Sequence, residues 1–542
     1  DKKYVKTLFN GIDISDPTAT QVQTSWEHLT AGSVSGIEVL KGSQSTLYGS
    51  DAVAGVIGIS TLGGIDLGLH NEVSIEAGSR GTVRGGYRVT GATETGRFSL
   101  GLNGLTTDGI SRVLSNGTPP LDTNPASLER DGYRNFTGNF AGEQRLNEYV
   151  SVFAYGLLIK ADGEFDDSGN PPTDNEFNTG DTTQKAGRVG FNFDLLDGRF
   201  KNTVSVQIFD VDRNLHIVSG FGPFDANYRG LRKKVDYQGT FEATDWATLQ
   251  FGADHEWQSA KVTDNYGTDT SDAFSLAGVW AQAIVEPVDN LTLTAGGRHD
   301  QHSVFGGYDT WRLTGAYLFP DFGTKLHASV GTGYRAPSLY ELYAPWGTGN
   351  PALQPEQSFS FDVGVEQTLL DGRLVADLTY FQLDTDNLID YSYVTSSYVQ
   401  LPGVTKRRGL EVSLAWQAAA WLDLEAAYTY TQTKQPDGLE RPRIPGHDIA
   451  LSATVRPAEN WTITGTARAV LDTTDRISPS YGTFVDVDLA DYVLVDARVA
   501  YKWNEDTEFY VRGENLLNQK YQVVTGYGMP GIGVFAGVKA RF

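Results

Sequence analysis

The feature that most constrains this chain is an alternation of apolar and polar residues with a period of two, repeated along most of its length. In the last eleven residues, IGVFAGVKARF, the even positions are all apolar, and glycine, lysine or arginine fills most of the odd positions. Similar alternation occurs in residues 291–300, 359–366, 448–456 and 493–503. Because successive side chains of a strand point to opposite faces, the pattern predicts β-strands with one apolar and one polar face.

Short polar reversals separate these strands at regular intervals. We identify reversals near Glu94, Asn147, Asp197, Asp245, Asp289, Asp321, Asp371, Trp421, Glu459 and Glu505. They lie about 46 residues apart on average, and two strands of about ten residues fill less than half of that distance. We therefore expect a long loop at the opposite end of each strand pair. With one strand outside each end of the series, the tally is 22 strands.

Short turns at one end and long loops at the other are typical of a transmembrane β-barrel. The apolar face also carries Tyr and Trp near the strand ends, as an interfacial girdle does. Charged residues such as Arg498 and Lys502 interrupt strands on the polar face, where they are tolerated if that face lines a wet lumen. A soluble propeller is the alternative for a repeat of this length. The expected fold class is all-β, a 22-stranded antiparallel transmembrane β-barrel wide enough to require a plug.

Composition excludes several functional classes. The chain of 542 residues has 43 Lys and Arg against 67 Asp and Glu, a formal charge of −24. This acidity argues against a nucleic-acid partner, since phosphate binding requires a concentrated basic surface. The absence of cysteine excludes disulfides, thiolate catalysis and Cys-ligated metal sites. No GxSxG or HExxH signature appears either, so we expect no enzyme.

The first 65 residues do not follow the barrel pattern. They contain two short apolar strands, at 37–40 and 55–61; Gly42 and Gly49 lie between them, and Gly55 begins the second. The glycines suggest a phosphate loop, but GxxxxGK[ST] is absent and Lys41 precedes its glycine. A diffusion porin or an outer-membrane hydrolase would have no use for such a segment.

Several motifs make this segment and the barrel resemble one family. IEVLKGSQSTLYGSDAVAGVIGIST (37–61) is similar to the closing segment of the plug of TonB-dependent outer-membrane receptors, and NGIDISDP (10–17) resembles the stretch that precedes it. TGYRAPSLYELYAPWGTGNPALQPEQS (332–358) and RGENLLNQKY (512–521) resemble barrel segments of the same family. The resemblance implies that 1–65 is the C-terminal half of a plug domain inside the lumen and that 66–542 is the barrel. The family's plug is roughly twice as long and begins with a TonB box; this sequence contains neither the first half nor the box, so the plug is incomplete here.

The resemblance also implies a location, partners and an activity. Members lie in the bacterial outer membrane among lipopolysaccharide and carry a terminal aromatic residue, here Phe542, that the barrel assembly machinery reads. They take up a scarce nutrient when the TonB–ExbB–ExbD complex pulls on the plug. We expect this protein to be a receptor of this kind and to act as a monomer.

The family branch that the chain resembles most is the vitamin B12 (cobalamin) receptors. RHDQHSVFGG (298–307) and TDNLIDY (385–391) fit that branch. The expected ligand is cobalamin or a related corrinoid, and a ferric siderophore or haem is the alternative. Carried over by position, the ligand-binding residues lie in two plug loops; they are Ser15, Asp16, Thr18, Thr20, Tyr48 and Ser50.

That branch also orders acidic outer loops with calcium. Residues 161–181 form the corresponding loop, in which TDNE (173–176) resembles the branch's "TDND". Oxygen ligands suit Ca²⁺, so Asp162, Asp174 and Glu176 are the expected metal ligands. A solvated acidic loop is the alternative, and no other cofactor is expected.

Overall fold

The computed structural model describes residues 2–113, 129–167, 172–220, 222–480 and 483–542. Within these ranges, the structure contains no helix that is both long enough and apolar enough to cross a membrane.

The barrel strands are long and antiparallel. The first eleven are β5 (Gly68–Gly78), β6 (Thr82–Ala92), β7 (Gly96–Thr107), β8 (Tyr133–Arg145), β9 (Val150–Glu164), β10 (Thr179–Leu195), β11 (Phe200–Ser219), β12 (Gly222–Thr244), β13 (Ala247–Asp264), β14 (Asp269–Val288) and β15 (Leu291–His302). The others are β16 (Gly306–Phe319), β17 (Thr324–Arg335), β18 (Glu356–Leu369), β19 (Leu374–Asp386), β22 (Val404–Ala419), β23 (Leu422–Lys434), β24 (His447–Ala458), β25 (Trp461–Leu471), β28 (Tyr492–Lys502), β29 (Thr507–Glu514) and β30 (Gly533–Arg541). Two hairpins project from the outer loops, β20 (Ile389–Ser392) with β21 (Ser397–Gln400) and β26 (Thr473–Ser480) with β27 (Thr483–Leu489).

The described residues form a closed barrel of the 22 strands that the sequence predicts. The last strand pairs with the first, with Phe535 opposite Gly78 and Arg541 opposite Glu72. The ten predicted reversals all fall between consecutive paired strands. Closure leaves no unpaired strand edge, which a wall in lipid requires.

The prediction of a long loop at every outer connection is wrong. The outer connections at 79–81, 265–268 and 303–305 are short, and strands β11 to β14 have 18 to 23 residues each. At the first of these, Arg80 and Gly81 have φ of 62° and 60°, the left-handed pair of a tight hairpin turn. The connection at 265–268 joins strands of 18 and 20 residues, so at that point paired strand takes the place of the expected long loop.

The two faces of the wall follow the alternation in the sequence. In β30, Val534 is 49% exposed on the outer surface of the barrel, whereas its neighbour Phe535 is 2% exposed and packs inside. At the short-turn end, the exposed aromatic residues include Trp246, Trp421, Trp461 and Trp503. They form one half of the expected girdle of a barrel that spans a membrane.

The N-terminal segment folds as a small mixed sheet inside the barrel. Its strands are β1 (Val5–Phe9), β2 (Ile12–Asp13), β3 (Gly36–Lys41) and β4 (Gly55–Ser60), in the order β2-β1-β4-β3. Strands β1 and β4 are parallel, and the other two pairs are antiparallel. Helix α1 (Ser45–Tyr48) and 3-10 turns at Lys2–Tyr4 and Trp26–His28 complete it. The connection from Ser60 to Gly68 contains the domain boundary predicted at 65/66.

Two of the surfaces through which the plug meets the wall differ in chemistry. The apolar seam joins Phe9, Ile12, Ile14 and Ile59 of the plug to Leu157, Ile159, Ala186, Phe209 and Val211 of β9 to β11. The charged seam joins Asp13 of the plug, which also pairs with Lys6, to Arg232 of β12, which also pairs with Glu256 of β13. Arg298 of β15 pairs within the wall, with Asp254 and Asp300.

Candidate functional site

The first predicted ligand loop, 15–21, is folded back on itself and anchored to the wall. The Asp16 carboxylate accepts hydrogen bonds from the backbone N–H and the hydroxyl of Thr18, both at 2.7 Å. Arg213 of β11 lies 3.2 Å from Asp16 and donates to the Thr18 carbonyl and hydroxyl. Ser15, Asp16 and Thr18 are buried, whereas Thr20 at the end of the loop is exposed. The buried three therefore hold the loop, and Thr20 presents a free surface.

The second predicted loop, 45–50, contains helix α1, which packs against β15, β16 and β17. Lys6 donates to the Tyr48 carbonyl at 3.0 Å, and the backbone N–H of Ala336 donates to the buried Ser50 hydroxyl at 3.1 Å. Tyr48 and Ser50 line a cavity of about 20 Å³ between plug and wall. A cavity of this size holds about one water molecule, so no large ligand fits there in this conformation.

Above the plug, tyrosines from three outer elements meet. Tyr340 lies on helix α2 (Leu339–Tyr343), with its ring centroid 6.4 Å from Tyr228 of β12 and 6.3 Å from Tyr398 of β21. Tyr391 of β20 is 5.3 Å from Tyr398, whose side chain lies close to that of Thr20 of the plug. Burial raises the pKa of Tyr340 to about 12, so its hydroxyl remains a donor at neutral pH. We call Tyr228, Tyr340, Tyr391 and Tyr398 the outer tyrosine cluster.

Four arginines near the outer loops are paired with carboxylates. Besides Arg213 with Asp16, the pairs are Arg441 with Asp390, Arg443 with Asp475 at 2.7 Å and Arg476 with Asp486 at 2.6 Å. Each of these cations is thus neutralised by a carboxylate of the protein itself.

A fully buried ionic network lies beneath helix α2. Arg335, the last residue of β17, donates to both oxygens of Glu341 at 2.9 and 3.0 Å and to both oxygens of Glu356 at 2.9 and 3.1 Å. Glu356 in turn accepts from Lys3 of the plug at 3.0 Å. All four side chains are at most 1% exposed. The sequence analysis missed this network, although Arg335, Glu341 and Glu356 all stand within the motif at 332–358.

An acidic cluster lies in two outer loops. One carboxylate oxygen each of Glu129, Asp131 and Asp166 lies within 4.8 Å of the others. Backbone N–H groups of Arg112 and Val113 donate to Asp131 and Asp166 at 2.9 and 3.1 Å. The other oxygen of Asp131, Oδ1, is buried without a hydrogen-bond partner. Burial, followed by the nearby Asp166 carboxylate, raises the pKa of Asp131 to about 7.

The predicted metal ligands are placed differently from this cluster. Asp174 borders it: burial and a hydrogen bond with Asp174 raise the pKa of Glu129 to about 8. Asp162 is exposed within β9, and Glu176 is exposed in a turn. Residues 168–171 of the predicted loop lie outside the described residues. Glu129 and Asp131 were missed because they precede β8, one strand pair away from the loop that the motif marked.

Comparison with known proteins decides the family. Residues 78–516 match the family "TonB dependent receptor-like, beta-barrel", and residues 1–56 match "TonB-dependent Receptor Plug Domain". The chain belongs to the TonB-dependent receptor family. The family resemblance in the sequence is thereby confirmed, and members of this family are receptors and transporters.

Relatives of the receptor are known from other bacteria. The vitamin B12 transporter BtuB of Photobacterium profundum is 26% identical over 554 residues, spanning 100% of this chain and 84% of the relative. BtuB of Vibrio vulnificus (strain YJ016) is 24% identical over 551 residues, spanning 97% of this chain and 81% of the relative.

Solved structures share the fold. The ferric enterobactin receptor PfeA of Pseudomonas aeruginosa, as a mutant in complex with enterobactin, superposes with a TM-score of 0.81 at 17% identity over 100% of this chain and 92% of its own. The copper transporter OprC gives a TM-score of 0.83 at 15% identity, over 99% of this chain and 90% of its own.

Proposed function

We propose that the receptor takes up cobalamin or a related corrinoid across the outer membrane. The observation that carries the proposal is the match to vitamin B12 transporters over essentially the whole chain, plug and barrel together. Solved neighbours with other cargoes share the fold at 17% identity or less, which carries no argument about the ligand.

The charge of the outer site supports a neutral ligand. A corrinoid presents a ring of amide side chains, whereas ferric catecholate siderophores are anionic and require unneutralised cations. The outer arginines named above are each paired with a carboxylate of the protein. An anionic chelate would have to compete with those carboxylates for the arginines, so it gains little here.

Thr20 and the half-buried Tyr340 and Tyr391 of the outer tyrosine cluster form the ligand-facing surface in this proposal, with the buried Tyr228 and Tyr398 packed behind them. Tyrosines combine a flat apolar ring with a hydroxyl, which suits a large macrocycle edged with amides. Of the six residues predicted from the sequence, Thr20 contacts the ligand, and Ser15, Asp16 and Thr18 shape its loop. Tyr48 and Ser50 reach the ligand when the plug moves.

Titration of the purified receptor in detergent tests this proposal. Cyanocobalamin is expected to bind with a Kd below about 1 μM. Tyr340→Ala is expected to weaken binding by about 10-fold or more, since aromatic anchors carry much of the energy of a binding site. Tyr149→Ala, at a turn on the opposite end of the barrel, is the matched control and should leave affinity unchanged. Submicromolar affinity for a ferric siderophore, with none for cyanocobalamin, would move the assignment to the siderophore alternative.

Transport itself depends on partners in this proposal. The TonB–ExbB–ExbD complex supplies the energy, because the sequence carries no nucleotide-binding motif. The barrel assembly machinery inserts the chain, lipopolysaccharide surrounds it, and it acts as a monomer without nucleic acid or catalytic activity. Loss of corrinoid-dependent growth in a strain without TonB, restored by TonB, is the expected result.

We also infer that calcium binds between the outer loops at Glu129, Asp131 and Asp166, with Asp174 beside them. Hard carboxylate oxygens are the ligands that Ca²⁺ prefers, and the unpartnered Oδ1 of Asp131 fits a cation. Because the pKa values of Asp131 and Glu129 are raised to about 7 and 8, protons compete with the cation. Calcium affinity should therefore fall as the pH drops below about 8.

Terbium luminescence checks the calcium site. Asp131→Asn should abolish the calcium-displaceable signal, whereas the control Asp162→Asn should keep it. The opposite outcome would restore the ligand set predicted from residues 161–181.

A further inference from the structure

The buried network beneath helix α2 connects the ligand-facing surface to the plug. We propose that Glu356 is a hub through which a ligand that displaces α2 or the β20–β21 hairpin loosens the plug's 3-10 turn at Lys2–Tyr4, called the first turn below because it is the first element that the structure describes. This inference rests on the proposed function only in placing the ligand at the outer tyrosine cluster.

One carboxylate oxygen receives bonds from three separate elements. Oε1 of Glu356 accepts from Lys3 of the plug at 3.0 Å, from Arg335 of the wall at 2.9 Å and from the backbone N–H of Ile389 at 2.7 Å. Lys3 also donates to the carbonyl of Ile389 at 2.7 Å. The plug's first turn and the β20–β21 hairpin are therefore bound to the same atom and to each other.

Helix α2 is tied to the hub through neighbouring residues. Tyr340 belongs to the outer tyrosine cluster, while Glu341 takes both terminal nitrogens of Arg335. Glu341 also accepts from the backbone N–H of Ser338 at 2.8 Å, and the Ser338 hydroxyl accepts from the backbone N–H of Glu341. This capping box fixes the start of the helix, so a rotation of α2 moves the Glu341 carboxylate with it.

The charges of the network balance only when all four members are present. Two cations, Arg335 and Lys3, face two carboxylates, Glu341 and Glu356, with no side chain more than 1% exposed. Shifting one member leaves a buried charge without its partner, which is strongly unfavourable. Such a group has two discrete states, intact or broken, and this is what transmission between separate elements requires.

On the plug side, Lys3 is followed directly by residues that pack on the plug sheet and then begin its strand β1. Tyr4, next to Lys3, is buried against Val53 and Leu383, and its carbonyl accepts from the backbone N–H of Ala54 at 2.8 Å. Strand β1 begins at the next residue. Burial lowers the pKa of Lys3 to about 8 in spite of the Glu356 charge. Burying the charged ammonium group is therefore unfavourable, and the contact with Glu356 offsets part of that cost.

A label on the first turn tests the hub. Because the chain has no cysteine, Lys2→Cys introduces a single exposed site for a nitroxide label. Without ligand, we expect a predominantly immobile spectrum, and we expect Lys3→Met or Glu341→Gln to raise the mobile fraction at least about 3-fold. Glu341 does not contact Lys3, so its effect measures transmission through Arg335 and Glu356. The matched control is Lys41→Met, which removes a plug–wall ion pair with Glu411 whose lysine is 69% exposed.

The outcomes separate this inference from the proposed function. Equal mobility in Glu341→Gln, Lys41→Met and the parent would overturn the hub, whatever the ligand is. Saturating cyanocobalamin should raise the mobile fraction of the parent but not that of Lys3→Met. Binding of cyanocobalamin without any change in the parent spectrum would also overturn the hub. Absence of binding would count against a corrinoid as the ligand, and the Glu341→Gln result would then decide whether the hub exists. Folding of every variant is checked by its heat-modifiable mobility in gels.

Discussion

The two surfaces that hold the plug differ in chemistry. The apolar seam buries isoleucine and phenylalanine side chains against β9 to β11. In the charged seam, Asp13 lies 2.5 Å from Arg232 and 3.4 Å from Lys6, and Arg232 lies 3.1 Å from Glu256. Both surfaces are buried, but the first is stabilised by the apolar area it buries and the second by the geometry of its ion pairs.

Because of this difference, the two seams contribute in different ways to holding the plug in the barrel. Apolar contacts are non-directional, and a small slide keeps most of them. Buried ion pairs tolerate no slide, because each displaced charge loses its partner. The apolar seam therefore supplies adhesion, and the charged seam sets the position of the plug and its point of release.

The largest expected effect comes from removing one charge of the charged seam. Arg232→Met leaves Asp13 and Glu256 buried without their main cation, which should cost about 3–5 kcal/mol of plug docking. Hydrogen exchange of residues 2–60 in the intact barrel measures it. The double variant Arg232→Met with Asp13→Asn should recover part of the loss; if it is worse than the single variant, the two residues do not act as a pair.

A truncation in the apolar seam should have a slightly smaller effect. Ile12 is 1% exposed, and Ile12→Ala is expected to weaken plug docking by about 2–4 kcal/mol, because the variant loses buried apolar area and leaves a cavity. Ile37→Ala in β3, at a side chain 61% exposed, is the control and should change docking by less than about 0.5 kcal/mol. Equal losses in both variants would deny that the seam supplies the adhesion.

Acid should distinguish the two seams. Burial alone would raise the pKa of Asp13, but the charges of Arg232 and Lys6 outweigh it and hold that pKa well below the ordinary value. A lowered pKa means that this contribution is complete above pH 4 and is lost only as the pH falls through the depressed pKa. Proteolysis of the plug should thus remain slow at pH 4 and increase at more acidic pH in the parent. Asp13→Asn should flatten this dependence, and Ile12→Ala should keep it.

The smallest effect is expected at the exposed plug–wall pair. Lys41→Met removes the contact with Glu411, and an exposed pair of this kind contributes about 0–1 kcal/mol. An increase in hydrogen exchange as large as that of Arg232→Met would mean that burial is not what separates the strong contacts from the weak ones.

The wall could be predicted from the sequence because its signals are local. Alternation in a segment such as 493–503 sets the two faces of β28, and polar pairs such as Asp289 and Asn290 mark the turns. The length of β11 to β14 was missed because a tight hairpin turn at the outer end has the same kind of composition as a short loop.

The site could be predicted only in part because its contacts are distant in sequence. Lys3 and Glu356 are 353 positions apart, and no pattern near either residue predicts a contact with the other. The motif at 10–17 marks the plug loop in the sequence, but the outward exposure of Thr20 and the burial of Thr18 depend on where Arg213 of β11 lies.

The most direct test of the whole account is calorimetric titration of the parent receptor in detergent with cyanocobalamin and, separately, with ferric enterobactin. The account predicts a one-to-one complex with cyanocobalamin at a Kd below about 1 μM and no measurable heat with the anionic chelate. Tight binding of the ferric chelate together with silence toward cyanocobalamin would contradict it.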